Sequence, residues 1–167
     1  MKKIILSTLI FIFAFATISN AQSKGQKLPG IEIKDLSGNS VDISEYSSNE
    51  KLTVISFWAT WCVPCKKELN NISELYEEWV EDYDVELVAI SIDDSRNMAK
   101  VKTYINGQGW DFEVLLDSNS DLKRALNFQT VPFTLLIDQD GNIVYRHTGY
   151  VEGDEYILEE EIAKFAN

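Results

Sequence analysis

"LTVISFWATWCVPCKKE", residues 52–68, is the stretch that decides the fold. Leu52 to Trp58 is a continuous apolar run of strand type, the pattern of a strand covered on both faces. Pro64 follows Cys62 by two residues, where a first-turn proline belongs, because its missing N–H would have no helical partner there. Downstream, Leu69, Ile72, Leu75, Tyr76, Trp79 and Tyr83 recur at three and four residues, which predicts an amphipathic helix. The only two cysteines of the chain therefore sit where a buried strand hands over to a long helix.

Three readings of Cys62 and Cys65 compete. A structural staple explains little, since a bridge across two intervening residues closes a very short loop and restrains the unfolded chain weakly. A closed zinc site needs four ligands. Here there is no second cysteine pair, and the lone histidine, His147, is distant in sequence. A redox pair is the reading left standing. The chemistry suits the place. Free N–H groups and the helix dipole favour a thiolate on Cys62 at the helix tip, where it should be exposed. Cys65, one turn inside and on the same face, is spaced so that a disulfide can bridge the pair, and it should be sheltered. No metal or bound cofactor is implied.

Outward from this centre the chain divides simply. Lys2 and Lys3 precede an apolar run, Ile4 to Ile18, and small Ser19 and Ala21 precede Gln22. This predicts a signal peptide over residues 1–21, cleaved on export, and no stable membrane insertion afterwards. Cleavage would remove two of 15 basic side chains and none of the 27 acidic ones, moving the net charge from −12 to near −14. A surface that acidic repels phosphate backbones and anionic lipid, so nucleic acid is excluded as a partner.

Residues 22–30 read as a flexible lead-in and 31–167 as one domain. "IEIKDLSGNSVDIS" (31–44) predicts an N-terminal hairpin, and the following "SEYSSNEK" a polar connection. "VELVAISID" (85–93) predicts a second buried strand, "SRNMAKVKTYINGQG" (95–109) a helix capped by its serine, and "FEVLLD" (112–117) a short strand. A short helix over "SDLKRALNF" (120–128) comes next. "VPFTLLIDQDGNIVYRHTG" (131–149) predicts a hairpin about an Asp-Gly turn, and "DEYILEEEIAKFAN" (154–167) a closing helix. Strand–helix–strand units with a late hairpin predict an α/β fold: a mixed central sheet flanked by helices, with the N-terminal β-hairpin as an extension.

"FWATWCVPC" resembles the active-site stretch of the thioredoxin superfamily, and "VPFTLLID" its cis-proline strand. The lead-in "IKDLSGNSVDISEY", the export signal and "CKKE" are similar to TlpA- and ResA-like exported thiol-disulfide oxidoreductases, over roughly residues 28–165. The resemblance implies a thioredoxin fold in which Cys62 attacks and Cys65 resolves. It also implies a cis Val131–Pro132 peptide facing them, beside which client backbone pairs. Trp61, Val63 and Pro64 would complete the client contact. Where cytosolic thioredoxins carry a buried aspartate on the central strand, this chain has Ser56, and the resemblance passes the handling of Cys65's proton to Glu68.

The implied protein is a monomeric, periplasmic or otherwise extracytoplasmic oxidoreductase. It would act on disulfides or thiols of envelope proteins, those of cytochrome c maturation included, and take electrons from a membrane or envelope redox partner. Trp58 reads as core or groove, Lys66 and Lys67 as solvated or thiolate-assisting, and Gly149 as a strand end or a place of close substrate approach. Two other functions remain in view. A peroxiredoxin-like peroxidase would typically carry a proline upstream of its cysteine, and Trp58-Ala59-Thr60-Trp61 has none. A redox-inert thioredoxin-fold binding module would not titrate against glutathione buffers.

Overall fold

The computed structural model describes residues 25–166. The signal peptide expected over residues 1–21 lies outside them. Seven strands form one sheet: β1 (Glu32–Asp35), β2 (Ser40–Asp42), β3 (Leu52–Trp58), β4 (Val85–Ser91), β5 (Glu113–Leu116), β6 (Phe133–Ile137) and β7 (Ile143–Thr148). Four helices join them: α1 (Val63–Tyr83), α2 (Met98–Asn106), α3 (Asp121–Ala125) and α4 (Asp154–Phe165). The sheet order is β2-β1-β5-β4-β3-β6-β7. β3, β4 and β5 run parallel, whereas β6 and β7 add antiparallel on one side and β1 and β2 on the other. This is a thioredoxin fold with a mixed sheet and an N-terminal hairpin extension.

β3 is central and all seven of its residues are buried, as its unbroken apolar pattern requires. Successive side chains point to opposite faces and so feed two cores. Leu52, Val54 and Trp58 pack with Leu69, Ile72 and Trp79 of α1, Val101 of α2 and Leu158 and Ile162 of α4. Ile55 and Phe57 pack on the other face with Leu122, Leu126, Phe128 and Phe133. Helix α1 ends where Asp84 takes a left-handed conformation and its N–H closes on the Val80 carbonyl.

The structure departs from the sequence expectations in three places. The polar connection after β2 contains a 3-10 turn, Ile43–Ser47, with Ile43 and Tyr46 buried. Tyr46 donates a 2.6 Å hydrogen bond to Glu113, which ties this turn to β5. Helix α2 begins at Met98 rather than after Ser95, because the Asp94 carboxylate engages the Arg96 N–H and the Asn97 side chain and holds residues 94–97 as a turn. The lead-in is docked from Gln26 onward instead of flexible. The Gln26 carbonyl accepts from the Ile143 N–H, and Leu28 is buried in the second core. Gly141 belongs to the same corner: a Cβ there would lie 2.0 Å from the Ser47 carbonyl oxygen, so only glycine allows the β6–β7 turn to meet the 3-10 turn.

Candidate active site

The cysteine pair sits at the end of β3. Cys62 is the N-cap of α1, with Val63 and Pro64 as its first two residues, and its sulfur accepts a 3.3 Å hydrogen bond from the Cys65 N–H. A negative charge on the Cys62 sulfur would face that N–H and the positive end of the helix dipole. The two sulfurs are joined in a disulfide, with a Cα–Cα separation of 5.4 Å. Cys65 is fully buried. Cys62 is 5% exposed, less than its place at the helix tip suggested. Its sulfur is folded back into the disulfide, 3.7 Å from the Val131 carbonyl oxygen.

Around the disulfide the surface is apolar and open. Trp61 and Val63 are exposed by 65% and 62%, and Pro64 is exposed beside them. Val131–Pro132 is a cis peptide, with Val131 half-buried and Pro132 buried. The Pro132 carbonyl accepts from the N–H of Gly149, which has positive φ and follows the last strand. Trp58 belongs to the core, edge-on to Trp110 at 5.2 Å. Lys66 sets its ammonium 5.4 Å from the Tyr104 ring centroid, a cation–π contact.

Glu68 lies one turn beyond Cys65 on the inner face of α1 and is only 4% exposed. Thr134 donates to one carboxylate oxygen at 2.8 Å and Ser56 to the other at 3.1 Å. Both hydroxyls favour the ionised form, but desolvation outweighs them, and the carboxyl is pushed up to about 7. The negative charges of Asp154 and Glu155 push the same way. An acid that gains and loses its proton near neutrality one helical turn from a buried cysteine is suited to proton transfer. Ser56, standing where the aspartate of cytosolic thioredoxins would be, thus becomes a donor to the glutamate.

Two residues of this site escaped the sequence reading. The sequence marks Thr134 only as part of a strand, although its β6 position lies in register with Ser56. Asp93 is the other, 3% exposed and two residues beyond the end of β4. It accepts from the Thr60 N–H at 2.8 Å, the Thr60 hydroxyl at 2.7 Å and the Ser91 hydroxyl at 2.9 Å. The loop carrying Trp61 and Cys62 is thereby pinned to the neighbouring strand. Hydrogen bonds to a buried charged group contribute about 1.5–3 kcal/mol each. Asp93→Ala is therefore expected to lower unfolding free energy by about 3 kcal/mol in urea titrations. An unchanged midpoint would show that the loop is held by other contacts.

A buried strand, a Cys-x-x-Cys pair capping the next helix and a cis Val131–Pro132 peptide whose Val131 carbonyl lies 3.7 Å from the first sulfur define a thioredoxin-superfamily dithiol site. A model of the AhpC/TSA family matches residues 24–146. The thiol-disulfide oxidoreductase ResA of Bacillus thuringiensis (strain Al Hakam) is 30% identical over 125 residues, covering 75% of this chain and 69% of that protein. A thioredoxin-like protein from Porphyromonas gingivalis superposes with a TM-score of 0.74 at 42% identity, over 83% of this chain and 91% of the other. StoA from Bacillus subtilis superposes with a TM-score of 0.63 at 27% identity, over 79% and 98% respectively. The chain belongs to the AhpC/TSA family and to the ResA-like thiol-disulfide oxidoreductases, and it is an enzyme of dithiol–disulfide exchange.

Proposed function

We propose that the protein is exported by a signal peptide over residues 1–21, with 22–30 leading into a catalytic domain over 31–167, and that it reduces disulfides of envelope proteins, those of cytochrome c maturation included. The observation that carries this reading is the Cys62 sulfur at the N-terminus of α1, accepting from the Cys65 N–H beside an exposed apolar rim. In the reduced enzyme the Cys62 thiolate attacks one sulfur of a client disulfide. The client S–S bond breaks, a mixed disulfide forms and the first client thiolate leaves. Cys65 then gives its proton to the Glu68 carboxylate and attacks the Cys62 sulfur. This closes the Cys62–Cys65 bond and releases the second client thiolate. The client has gained two electrons and the enzyme has lost two. Its thiolates take up two protons, one of them supplied by way of Glu68. Trp61, Val63 and Pro64 offer the client apolar contact, and backbone beside Val131 and Pro132 pairs with its extended chain. A membrane or envelope donor restores the dithiol.

The direction of exchange follows from what lies between the cysteines. Strong oxidants keep a very stable thiolate, and Val63 and Pro64 bring no charge that would provide one. The expected reduction potential is below about −200 mV, nearer the about −270 mV of thioredoxin than the about −120 mV of DsbA. Equilibration with glutathione buffers measures it, and a value near about −120 mV would overturn the reductant assignment. A chain that fails to exchange with glutathione at all would instead be a binding module. A peroxide-turnover assay on the same preparation tests the peroxidase alternative, which the absence of proline from Trp58 to Trp61 argues against.

A further inference from the structure

Ser56 of β3, Thr134 of β6 and His147 of β7 are direct cross-strand partners. Such partners share a face of the sheet, so the three polar side chains form a row leading from the core beside Cys65 to the edge of the molecule. Glu68 reaches down from α1 onto the first two. At the outer end, His147 Nε2 lies 3.2 Å from the Asp154 carboxylate, at the first residue of α4. Glu68, Thr134, His147 and Asp154 line one narrow cleft with about 10 Å³ of free volume, together with Tyr145 and Leu158. The His147 side chain is 35% exposed and that of Asp154 14%, so water screens this pair only in part.

We propose that His147 and Asp154 form a charge pair that sets how tightly Glu68 holds its proton, acting as positioning residues for the exchange reaction. The inference rests on Glu68 serving Cys65 as proposed above. Its electrostatics are direct. A carboxylate facing a second carboxyl group across a desolvated cleft makes that group keep its proton. A protonated imidazole on Asp154 cancels the effect, and histidine is the side chain that changes charge between about pH 5 and 8. The other ionisable groups that face the cleft are few. Glu155 of α4 is held by the Tyr150 hydroxyl at 2.7 Å and by Asn71 at 3.1 Å. Tyr145 of β7 stacks on the His147 ring at 6.3 Å. β6 contributes only the hydroxyl of Thr134. The upward shift of the Glu68 carboxyl, to which Asp154 and Glu155 both add, agrees with this arrangement.

The test follows the Glu68 carboxyl by carbon NMR across pH in the oxidised protein. Asp154→Asn keeps the shape and can still accept from the Val151 N–H, which the native side chain binds at 2.8 Å. It is expected to lower the Glu68 titration by about half a pH unit, roughly threefold in proton affinity. His147→Gln is expected to raise it by a similar amount, and the double variant to lie between the two single variants. The opposite signs matter, because a merely structural pair would move both variants the same way. Equal-signed shifts, or no shift in either single variant, would overturn the proposal. The pH profile of exchange with a peptide disulfide is measured beside it. If the Glu68 titration moves as stated while the exchange profile stays put, the charge pair stands, and the role of Glu68 at Cys65 is what fails.

Discussion

Cys65→Ser is expected to accumulate mixed disulfides with its clients, while Cys62→Ser accumulates none. In the native enzyme Cys65, proposed above as the resolving residue, is presented within the same helical turn, 5.4 Å away Cα to Cα. Intramolecular attack by a well-oriented group reaches effective concentrations of about 10⁵ M or more. No small thiol in solution replaces that, so turnover in Cys65→Ser should fall below about one hundredth of the native rate. The asymmetry has a structural basis. Cys62 is the helix cap and the less buried residue of the two, flanked in the chain by exposed Trp61 and Val63, whereas Cys65 is fully buried. Mass spectrometry of adducts captured in the native compartment would identify the clients. Equal trapping by the two variants would reverse or abolish the assignment of attacker and resolver, and trapping by neither would favour the inert binding module.

The second large effect is on stability, through Glu68. Its ordinary value of 4.5 rises to about 7 in the folded chain, with burial as the main cause. Between those two pH values the folded protein holds a proton that the unfolded chain has released, so stability falls as pH rises through that window. Above about pH 7 the buried carboxylate costs the fold on the order of 3 kcal/mol, at about 1.4 kcal/mol per unit. Glu68→Gln removes this cost. The variant should match the native enzyme near pH 4.5 and exceed it by on the order of 2–3 kcal/mol at pH 8 in urea unfolding. The amide fits because the hydroxyls of Ser56 and Thr134 can turn to accept as well as donate. Comparing the two curves isolates Glu68 from other acids, such as Asp117, which burial also raises. With Glu68 serving Cys65 as proposed, the same variant should also exchange more slowly. Parallel stability curves together with an unchanged exchange rate would return Glu68 to a structural role.

Much of this architecture was legible because it is written locally. The run Leu52 to Trp58 identified the central strand, and the spacing of Leu69, Ile72 and Trp79 identified the inner face of α1. Pro64 marked the first turn, so the cysteines could be placed at a helix tip from sequence alone. The cis Val131–Pro132 peptide came only through resemblance, since a proline at a strand entrance is ordinarily trans. Helical periodicity also put Glu68 on the same side as Cys65. It could not say whether that side was wet, as for an ordinary surface glutamate, or dry.

The tertiary structure decided that question. Glu68 is dry because β6 brings Thr134, 66 residues away, into register with Ser56 and because α4 closes over the same cleft. The pin from Asp93 to Thr60, the docking of Gln26 and the pairing of His147 with Asp154 are of the same kind. Each depends on partners distant along the chain. The sequence by itself determined which face of its strand or helix each residue occupies, because that follows from a period of two or 3.6 residues. Only the tertiary structure decided how water is excluded from that face and which charges remain there, because desolvation depends on what is packed on top.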